Sequence, residues 1–206
     1  MKICIALTKG RLENQFLDYF QSLSYNLEPL IHKGRKLSIE TEQFHFIFAK
    51  GVDVATYVEH GIADLGVVGE DILLEYQPDV YNLLALPFGK CQFALAERKE
   101  HPPTVSKRTI ATKYPFVATE YFRKKGESVD IVKLEGSVEL APILGLADAI
   151  IDIVETGTTL KANGLIVKET IHSISARCIA NRSSLKIKRE KLAPIIELLE
   201  SKEFIK

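Results

Sequence analysis

The segment from residue 147 to residue 160 constrains the fold and function of this chain more than any other. It reads Ala-Asp-Ala-Ile-Ile-Asp-Ile-Val-Glu-Thr-Gly-Thr-Thr-Leu. The part at 149–154 is apolar and β-branched apart from Asp152, which is typical of a strand covered on both faces. A carboxylate, hydroxyls and a glycine follow together, and one or two helical turns then lead to an Asn-Gly stop at 163–164. The pattern predicts a buried strand, a tight turn and a helix start.

The turn at 155–159 has the composition of an anion-binding site. Backbone N–H groups converge where a helix begins, and the helix dipole favours negative charge. Gly157 allows the chain to approach a phosphate closely. The structural alternative is an ordinary strand-turn-helix corner, in which Thr156 or Thr158 serves as the helix N-cap.

Two carboxylates beside this turn make the predicted ligand more specific. A turn that bound phosphate alone would be weakened by like charge from Asp152 and Glu155. Both acids are explained if the ligand also presents hydroxyl groups, such as the 2′ and 3′ positions of a ribose, or a bound Mg²⁺. Phosphate together with a ribose diol indicates a phosphoribosyl group.

Composition excludes several other classes of function. The 206 residues suffice for one large domain or two lobes of about a hundred residues each. Lys plus Arg equals Asp plus Glu at 27 each, so neither nucleic acid nor an anionic membrane is an expected partner. The apolar run near Met1 is too short for a signal peptide, and no run has membrane-spanning length. Three scattered cysteines in apolar surroundings indicate buried thiols in a reducing cytoplasm, and the histidines lack the spacing of zinc ligands.

A second set of candidate residues is cationic and lies in the first quarter of the chain. Lys9 and Arg11 flank a glycine after a predicted strand at 3–7, where α/β proteins bind ligands. Arg35 precedes a predicted strand at 36–40, and its planar guanidinium suits bidentate contact with phosphate. Lys50 follows a predicted strand at 44–49. The alternative interpretation is that these cations are ordinary solvated residues on loops without a binding role.

The remaining pattern alternates strands and helices and predicts an α/β fold of two lobes joined by crossing strands. Lobe I is expected to contain residues 1–88 and 176–206, and lobe II residues 89–175. Glu70 and Asp71 are interpreted as acids that compensate the dipole of the helix they begin. Glu139 lies near the end of a strand at 129–134 and is expected to face the same site as Asp152. Further strands are predicted at 61–69, 81–86, 91–96, 109–112, 165–168 and 175–180, and helices at 12–24, 52–60, 71–76, 116–125 and 185–205.

Residues in and around the turn resemble the signature of the ATP phosphoribosyltransferase family, the first enzyme of histidine biosynthesis. The matching positions are Glu139, Gly145, Ala147, Ile150, Asp152, Ile153, Thr156, Gly157, Thr159 and Leu160. Segments 9–12, 34–37, 53–61 and 63–71 also resemble family segments, in the family's order. The resemblance extends from about residue 2 to about residue 184.

The resemblance implies a two-lobed, periplasmic-binding-protein-like (type II) architecture with the active site in the interlobe cleft. It implies condensation of ATP with 5-phosphoribosyl-1-pyrophosphate (PRPP) to N1-(5-phosphoribosyl)-ATP and pyrophosphate, with Mg²⁺ as cofactor. The backbone of Thr156, Gly157, Thr158 and Thr159 would then hold the 5′-phosphate, with Asp152 and Glu155 on the ribose hydroxyls or Mg²⁺ and Glu139 beside them. Lys9, Arg11, Arg35 and Lys50 would neutralise phosphates in catalysis. Many family members carry arginine at the position of Lys50, and lysine keeps the charge without the fork.

The resemblance also implies partners. Longer family members carry a C-terminal histidine-binding domain, and this chain resembles the short form, which works with a regulatory subunit similar to histidyl-tRNA synthetase. A homodimer within a cytoplasmic hetero-oligomer is expected, and weak or unregulated activity is expected of the isolated chain.

Two other functions remain open on the sequence. An ordinary base phosphoribosyltransferase has a similar loop, but its two acids are usually adjacent, whereas Asp152 and Glu155 are separated by two residues. A solute-binding module of the same two-lobed fold would need neither the acids nor the turn.

Overall fold

The chain forms two compact α/β units, each built on its own sheet. The structure is a computed structural model and describes residues 2–21, 27–99 and 107–201. The first unit comprises Met1–Gly89 and Ser175–Lys206, and the second comprises Lys90–Ile174. The mixed α/β class predicted from the sequence is confirmed.

The first unit is organised around a six-stranded mixed sheet with the strand order β2-β3-β1-β4-β11-β5. Strand β1 pairs in parallel with β3 and β4, whereas β11 runs antiparallel to β4 and β5. The elements of this unit, numbered along the whole chain, are β1 (Ile3–Thr8), α1 (Arg11–Gln21), α2 (Glu28–Ile31), β2 (Ser38–Glu40), β3 (Phe44–Ala49), α3 (Gly51–Glu59), β4 (Leu65–Gly69), α4 (Glu70–Tyr76), β5 (Tyr81–Ala85), β11 (Ala176–Ala180), α8 (Arg182–Ile187) and α9 (Arg189–Ser201).

Helices cover both faces of this sheet, so β1 is buried along most of its length. On one face, Phe20 of α1 packs edge-on against Phe44, with ring centroids 5.5 Å apart. On the other face, Val54 and Val58 of α3 are fully buried among small apolar side chains. The carboxyl ends of β1, β3 and β4 therefore meet at one edge of a rigid sheet.

A buried carboxylate joins the C-terminal segment to this sheet. Asp64, only 2% exposed, accepts hydrogen bonds from the Cys4 N–H at 2.9 Å and from the Ser184 hydroxyl at 2.6 Å. Lys188 donates to both carboxylate oxygens at 2.8 Å. The side chain of Asn181 caps α8 by accepting from the N–H groups of the first helical turn. Polar groups thus hold α8 and α9 against the amino ends of β1 and β4.

The second unit contains a five-stranded sheet with the order β10-β6-β9-β7-β8. Strand β9 lies at its centre, parallel to β7 and antiparallel to β6. The elements are β6 (Cys91–Arg98), β7 (Arg108–Thr112), α5 (Pro115–Lys125), β8 (Val129–Lys133), α6 (Leu140–Ile143), β9 (Ala149–Val154), α7 (Thr158–Ala162) and β10 (Leu165–Ile174). Pro115 opens α5, and Gly126 ends it in a left-handed conformation with φ +71°.

Several predicted element boundaries are wrong. The strand predicted from Gly61 begins at Leu65, because residues 60–63 terminate α3 through bonds from Gly61 N–H to Val58 O and from Ala63 N–H to Tyr57 O. The strand predicted at 165–168 continues to Ile174, because its polar residues lie on an exposed face while the backbone pairs with β6. Helix α2 was not predicted.

Two further interpretations also need correction. The helix predicted over 185–205 is two helices that meet at Lys188, whose side chain turns to Asp64. Glu70 begins α4 but is buried, and one carboxylate oxygen accepts a 2.6 Å hydrogen bond from Arg177. Glu70 therefore forms an ion pair with Arg177 of β11, and compensation of the helix dipole is not its only role. The end predicted for α1 at residue 24 and the end predicted for the last helix fall on residues 22–26 and 202–206, outside the described residues.

No helix in the described parts of the chain combines the length and apolar character required to cross a membrane.

Replacing Asp64 with alanine should destabilise the chain by about 3–5 kcal/mol, because the Lys188 ammonium loses its buried partner. Urea unfolding would measure the change. Glu120→Ala is the matched control, since Glu120 pairs with Arg123 on an exposed helix face and should contribute nothing measurable. Equal unfolding midpoints for the two variants would contradict the role assigned to Asp64.

The three thiols should differ in reactivity. Burial raises the pKa of Cys178 to about 12, and burial together with the Asp64 carboxylate raises the pKa of Cys4 to about 11. Cys91 is only partly buried. At pH 8 an aromatic disulfide reagent should label Cys91 in the folded chain and the other two only after unfolding. Cys91→Ser should remove the fast phase, and fast labelling of Cys178 in the folded chain would contradict this assignment.

Candidate functional site

The predicted turn follows the central strand of the second unit. Burial along β9 ends at Val154, which is 7% exposed, and Glu155 is exposed. Strand β6 pairs with β9 as far as Val154, whereas β7 pairs with it only as far as Ile151, so β6 fixes the position of its carboxyl end. The turn is thus a short exposed loop on a rigid support.

Gly157 gives this turn its shape. Its φ of +72° and ψ of +7° are left-handed, and it occupies the N-cap position of α7. Glycine adopts this conformation without the steric cost that other residues incur. The alternative in which Thr156 or Thr158 caps the helix with its side chain is wrong, since no side-chain cap is formed. The two threonine hydroxyls instead lie 2.9 Å apart and bond to each other.

The beginning of α7 presents backbone donors to the turn. The first bond of the helix runs from the Lys161 N–H to the Gly157 carbonyl at 3.1 Å. The N–H groups of Thr159 and Leu160 precede it and therefore have no carbonyl partner within the helix. The Thr158 N–H makes a long 3.4 Å contact with the Thr156 hydroxyl. These donors suit an anion with several oxygens.

The acids predicted for the site are near the turn in the sequence but differ in environment. Asp152 is half-buried within β9, and Glu155 is exposed at the first position after the strand. Glu139 is half-buried and occupies the N-cap position of α6, a helix that packs against β9 and β6.

Ser137 was not predicted to be unusual. It has a left-handed φ of +48°, and its carbonyl accepts a bond from the Leu140 N–H at the start of α6. Such a conformation is strained for a residue with a side chain and persists only where the surroundings hold it. A glycine would have signalled this turn in the sequence, whereas serine gives no signal.

Pairing of two parallel strands brings Lys9 and Lys50 together in the first unit. Thr8, the last residue of β1, is the register partner of Ala49, the last residue of β3. The Lys9 N–H donates to the Ala49 carbonyl at 2.9 Å. Lys50 then forms the N-cap position of α3. The two cations therefore follow adjacent strand ends at the edge where α/β sheets bind ligands.

Arg35 lies in a turn that continues the same edge. The Lys36 N–H bonds to the Lys33 carbonyl at 3.1 Å, so Arg35 lies inside this turn. The antiparallel register of β2 with β3 pairs Ser38 with Ile47, and the Phe48 N–H bonds to the Leu37 carbonyl. Leu37 is therefore opposite Phe48 at the end of the ladder, and Arg35 precedes it in the turn, at the edge where Lys50 follows β3.

The four candidate cations form one positively charged edge of the first unit. Arg11 is the first residue of α1, directly after Gly10. The side chains of Lys9, Arg11, Arg35 and Lys50 are all exposed. Lys9, Arg35 and Lys50 form no ion pair with any residue in the described part of the chain. Positive charge that is not neutralised by acids suits phosphate oxygens.

A cavity of about 490 Å³ is present in the second unit, but none of the predicted site residues lines it. Its lining includes Arg98, Lys99, Ile143 and the Asn163–Gly164 pair at the carboxyl end of α7. The turn at 155–157 precedes the opposite end of that helix.

The described residues contain no cluster of three or more His, Cys, Asp or Glu side chains that could hold a metal ion. Of the predicted ligands, Asp152 and Glu155 are carboxylates near the turn and are hard oxygen donors of the kind Mg²⁺ prefers. They fit a magnesium ion that keeps most of its ligands from water and substrate phosphates rather than one enclosed by protein.

A family model and a curated relative both identify this chain as similar to ATP phosphoribosyltransferases. The family model described as "HisG: ATP phosphoribosyltransferase" matches residues 50–201. A curated ATP phosphoribosyltransferase of Bacillus cereus (strain 03BB102) is 53% identical over 201 residues, which is 96% of this chain and 95% of the relative.

Solved structures agree in fold. The ATP phosphoribosyl transferase (HisG:HisZ) complex from Thermotoga maritima matches with a TM-score of 0.84 and 35% identity, over 96% of each chain. The periplasmic aliphatic sulphonate binding protein SsuA from Escherichia coli matches with a TM-score of 0.65 over 96% of this chain and 71% of its own, at 13% identity. The second likeness shows the fold alone and confirms the periplasmic-binding-protein-like architecture.

The family model matches more than half of the chain, and the alignment with the curated relative covers nearly the full length of both proteins. This chain belongs to the ATP phosphoribosyltransferase (HisG) family.

Proposed function

We propose that this chain joins ATP to PRPP, forming N1-(5-phosphoribosyl)-ATP and pyrophosphate in the first step of histidine biosynthesis. Family membership supports the activity. The structural observation that carries the proposal is the turn after β9, where a left-handed Gly157 and the first N–H groups of α7 follow a buried central strand.

The turn is proposed to hold the 5′-phosphate of PRPP. The Thr159 and Leu160 N–H groups have no carbonyl partner within α7, and a phosphate offers enough oxygens to accept from several backbone donors of residues 156–159. Gly157 has no side chain, and the nearest atom to a methyl group built on it is Val154 Cγ1, at 3.8 Å. The space above the turn is therefore available to the ligand.

Asp152 and Glu155 are proposed to bind the 2′ and 3′ hydroxyls of the ribose, as carboxylates accept hydrogen bonds from both. Their negative charge also suits the ribosyl C1, which develops oxocarbenium character as pyrophosphate departs. Glu139 is proposed to orient these groups from the start of α6. A magnesium ion bound with PRPP would neutralise charge on the leaving group.

The cationic edge of the first unit is proposed to bind the pyrophosphate and triphosphate groups. N1 of adenine forms a bond to the ribosyl C1 as the C1–O bond breaks, and that electron pair leaves with pyrophosphate. Since N1 already carries a lone pair, no protein nucleophile or base is required. Lys9, Arg11, Arg35 and Lys50 would stabilise the negative charge that collects on the leaving group, and both substrates would be held in line.

The solved Thermotoga maritima relative is a HisG:HisZ complex. We propose that this chain also assembles with a second subunit: it would form a homodimer within a hetero-oligomer that contains a regulatory subunit similar to histidyl-tRNA synthetase. A cytoplasmic location is proposed because ATP and PRPP are cytoplasmic metabolites.

A pyrophosphate-release assay with PRPP tests the function. ATP should support release, and free nucleobases should not, both with and without the synthetase-like subunit. Release with a free base but not with ATP would identify an ordinary base phosphoribosyltransferase. No release with any pairing, even with the subunit present, would support a solute-binding module instead.

Gly157→Ala should lower kcat/KM for PRPP about a hundredfold, because the added methyl group lies where the phosphate approaches and the left-handed backbone shifts. The strain itself costs about 1–2 kcal/mol. Gly126→Ala is the matched control: Gly126 lies in the same unit with φ +71° and open space around it. It should lose similar stability and keep its KM for PRPP. Equal kinetics for the two variants would remove the turn from the site.

Lys50→Met should reduce kcat/KM on the order of a hundredfold, because one cation is lost from the developing pyrophosphate. Lys50→Arg should retain most activity, since the charge is kept. Lys2→Met is the control at the other end of the neighbouring strand, where Lys2 pairs with Glu40 at 2.8 Å. Steady-state kinetics at fixed Mg²⁺ would measure these changes, and full activity of Lys50→Met would exclude its catalytic role.

The isolated chain should show no inhibition by histidine at micromolar concentration, because histidine is proposed to bind the regulatory subunit. Addition of that subunit should produce inhibition in the same assay. Inhibition of the pure chain at these concentrations would show that it carries its own histidine site.

A further inference from the structure

A buried ion pair lies behind the cationic edge of the first unit. Glu13, in the first turn of α1, is only 4% exposed. Its carboxylate pairs with the ammonium group of Lys33. The same ammonium lies 4.0 Å from the centroid of the Phe48 ring, a distance at which cation and ring attract each other.

Each of the three partners is two residues away from a cation assigned to the phosphates. Glu13 follows Arg11 along α1, Lys33 precedes Arg35 in its turn, and Phe48 precedes Lys50 at the end of β3. The ion pair and the ring contact therefore join three separate chain segments. Those segments carry three of the four candidate cations.

Among the described residues, backbone bonds from the Lys33 N–H to the Leu30 carbonyl and from the Phe48 N–H to the Leu37 carbonyl attach the two ends of the turn that carries Arg35. Its own hydrogen bond runs from the Lys36 N–H to the Lys33 carbonyl, and Gly34 within it has φ +57°. Arg35, Lys36 and Leu37 are exposed, whereas Lys33 is half-buried. Within the turn, the Lys33 side chain contacts both Glu13 of α1 and Phe48 of β3.

Burial makes this contact sensitive to both partners. A carboxylate removed from water requires an opposite charge close by, and removal of either partner leaves the other uncompensated. The pair therefore determines where the turn lies more strictly than an exposed ion pair would.

We propose that Glu13 and Lys33 are positioning residues that hold Arg35 in register with Arg11 and Lys50 for binding of phosphate oxygens. The proposal rests on the proposed function, because it assigns the cations to substrate phosphates. Glu13 and Lys33 themselves contact no substrate in this account.

The first unit offers a closely matched control. Lys188 pairs with Asp64 at side-chain exposures of 21% and 3%, compared with 22% and 5% for Lys33 and Glu13. Asp64 precedes β4 and bonds to Cys4, at the amino ends of the strands and so at the opposite edge of the sheet. Loss of that pair should cost stability without moving any candidate cation.

The test compares Glu13→Gln, Lys33→Met and Lys33→Arg with Lys188→Met. Two quantities are measured on the full chain: the dissociation constant for inorganic pyrophosphate, by calorimetry, and amide exchange in residues 34–37. Steady-state kinetics with ATP and PRPP complete the comparison. Amide exchange serves as the readout that does not depend on catalysis.

Glu13→Gln and Lys33→Met should weaken pyrophosphate binding about tenfold or more, raise KM more than they lower kcat, and speed exchange in the turn. Lys33→Arg, which keeps the charge over Phe48, should restore binding. Lys188→Met should unfold at a lower urea concentration. Its dissociation constant for pyrophosphate, its KM values and its amide exchange in residues 34–37 should equal those of the unchanged protein. The same pattern in Lys33→Met and Lys188→Met would show that the Glu13–Lys33 pair stabilises the fold only and would overturn the proposal.

The experiments distinguish a failure of this proposal from a failure of the proposed function. If Arg35→Ala abolishes turnover while Glu13→Gln and Lys33→Met bind pyrophosphate normally, the cationic site stands and the positioning role is wrong. If the unchanged protein releases no pyrophosphate with ATP and PRPP, the function is wrong. Faster exchange in the turn of Glu13→Gln, but not of Lys188→Met, would then still support the structural part of the proposal.

Discussion

The proposed site depends on one backbone conformation, the left-handed Gly157 directly after a central strand. A residue with a side chain rarely adopts the Gly157 φ of +72°, and the first N–H groups of α7 follow directly from this N-cap position. The conformation alone is not enough, because a mobile turn would not hold those donors in place. Strand β6 supplies the rigidity, because it pairs with β9 as far as Val154, while β7 supports the first half of β9, as far as Ile151.

Strand pairing also determines the position of the cationic edge of the first unit. Lys9 and Lys50 are 41 residues apart in sequence, yet parallel pairing of β1 with β3 places them after adjacent strand ends. Their charges are tolerated there because both side chains are exposed to water. Glu70, at the end of the neighbouring strand, is buried and paired with Arg177, so its charge is already matched. A chain that brings like charges together in this way gains from a polyanionic ligand.

Much of this arrangement could be predicted from the sequence, because periodicity and turn residues carry local information. The strand at 149–154, the turn glycine and the cations after β1 and β3 were all identified in this way. The boundaries that failed depend on long-range contacts. Helix α8 ends at Lys188 because that side chain reaches Asp64, more than a hundred residues away. Strand β10 continues through polar residues because β6 offers it a backbone partner. The buried pair of Glu13 and Lys33 gave no signal, since each residue alone resembles an ordinary surface charge.

The most direct measurement is a crystal structure of the chain with PRPP and Mg²⁺ bound. The account predicts the 5′-phosphate within hydrogen-bond distance of the backbone N–H groups of residues 156–159, with the ribose hydroxyls at Asp152 and Glu155. A 5′-phosphate bound elsewhere, with this turn making no contact to the ligand, would contradict it.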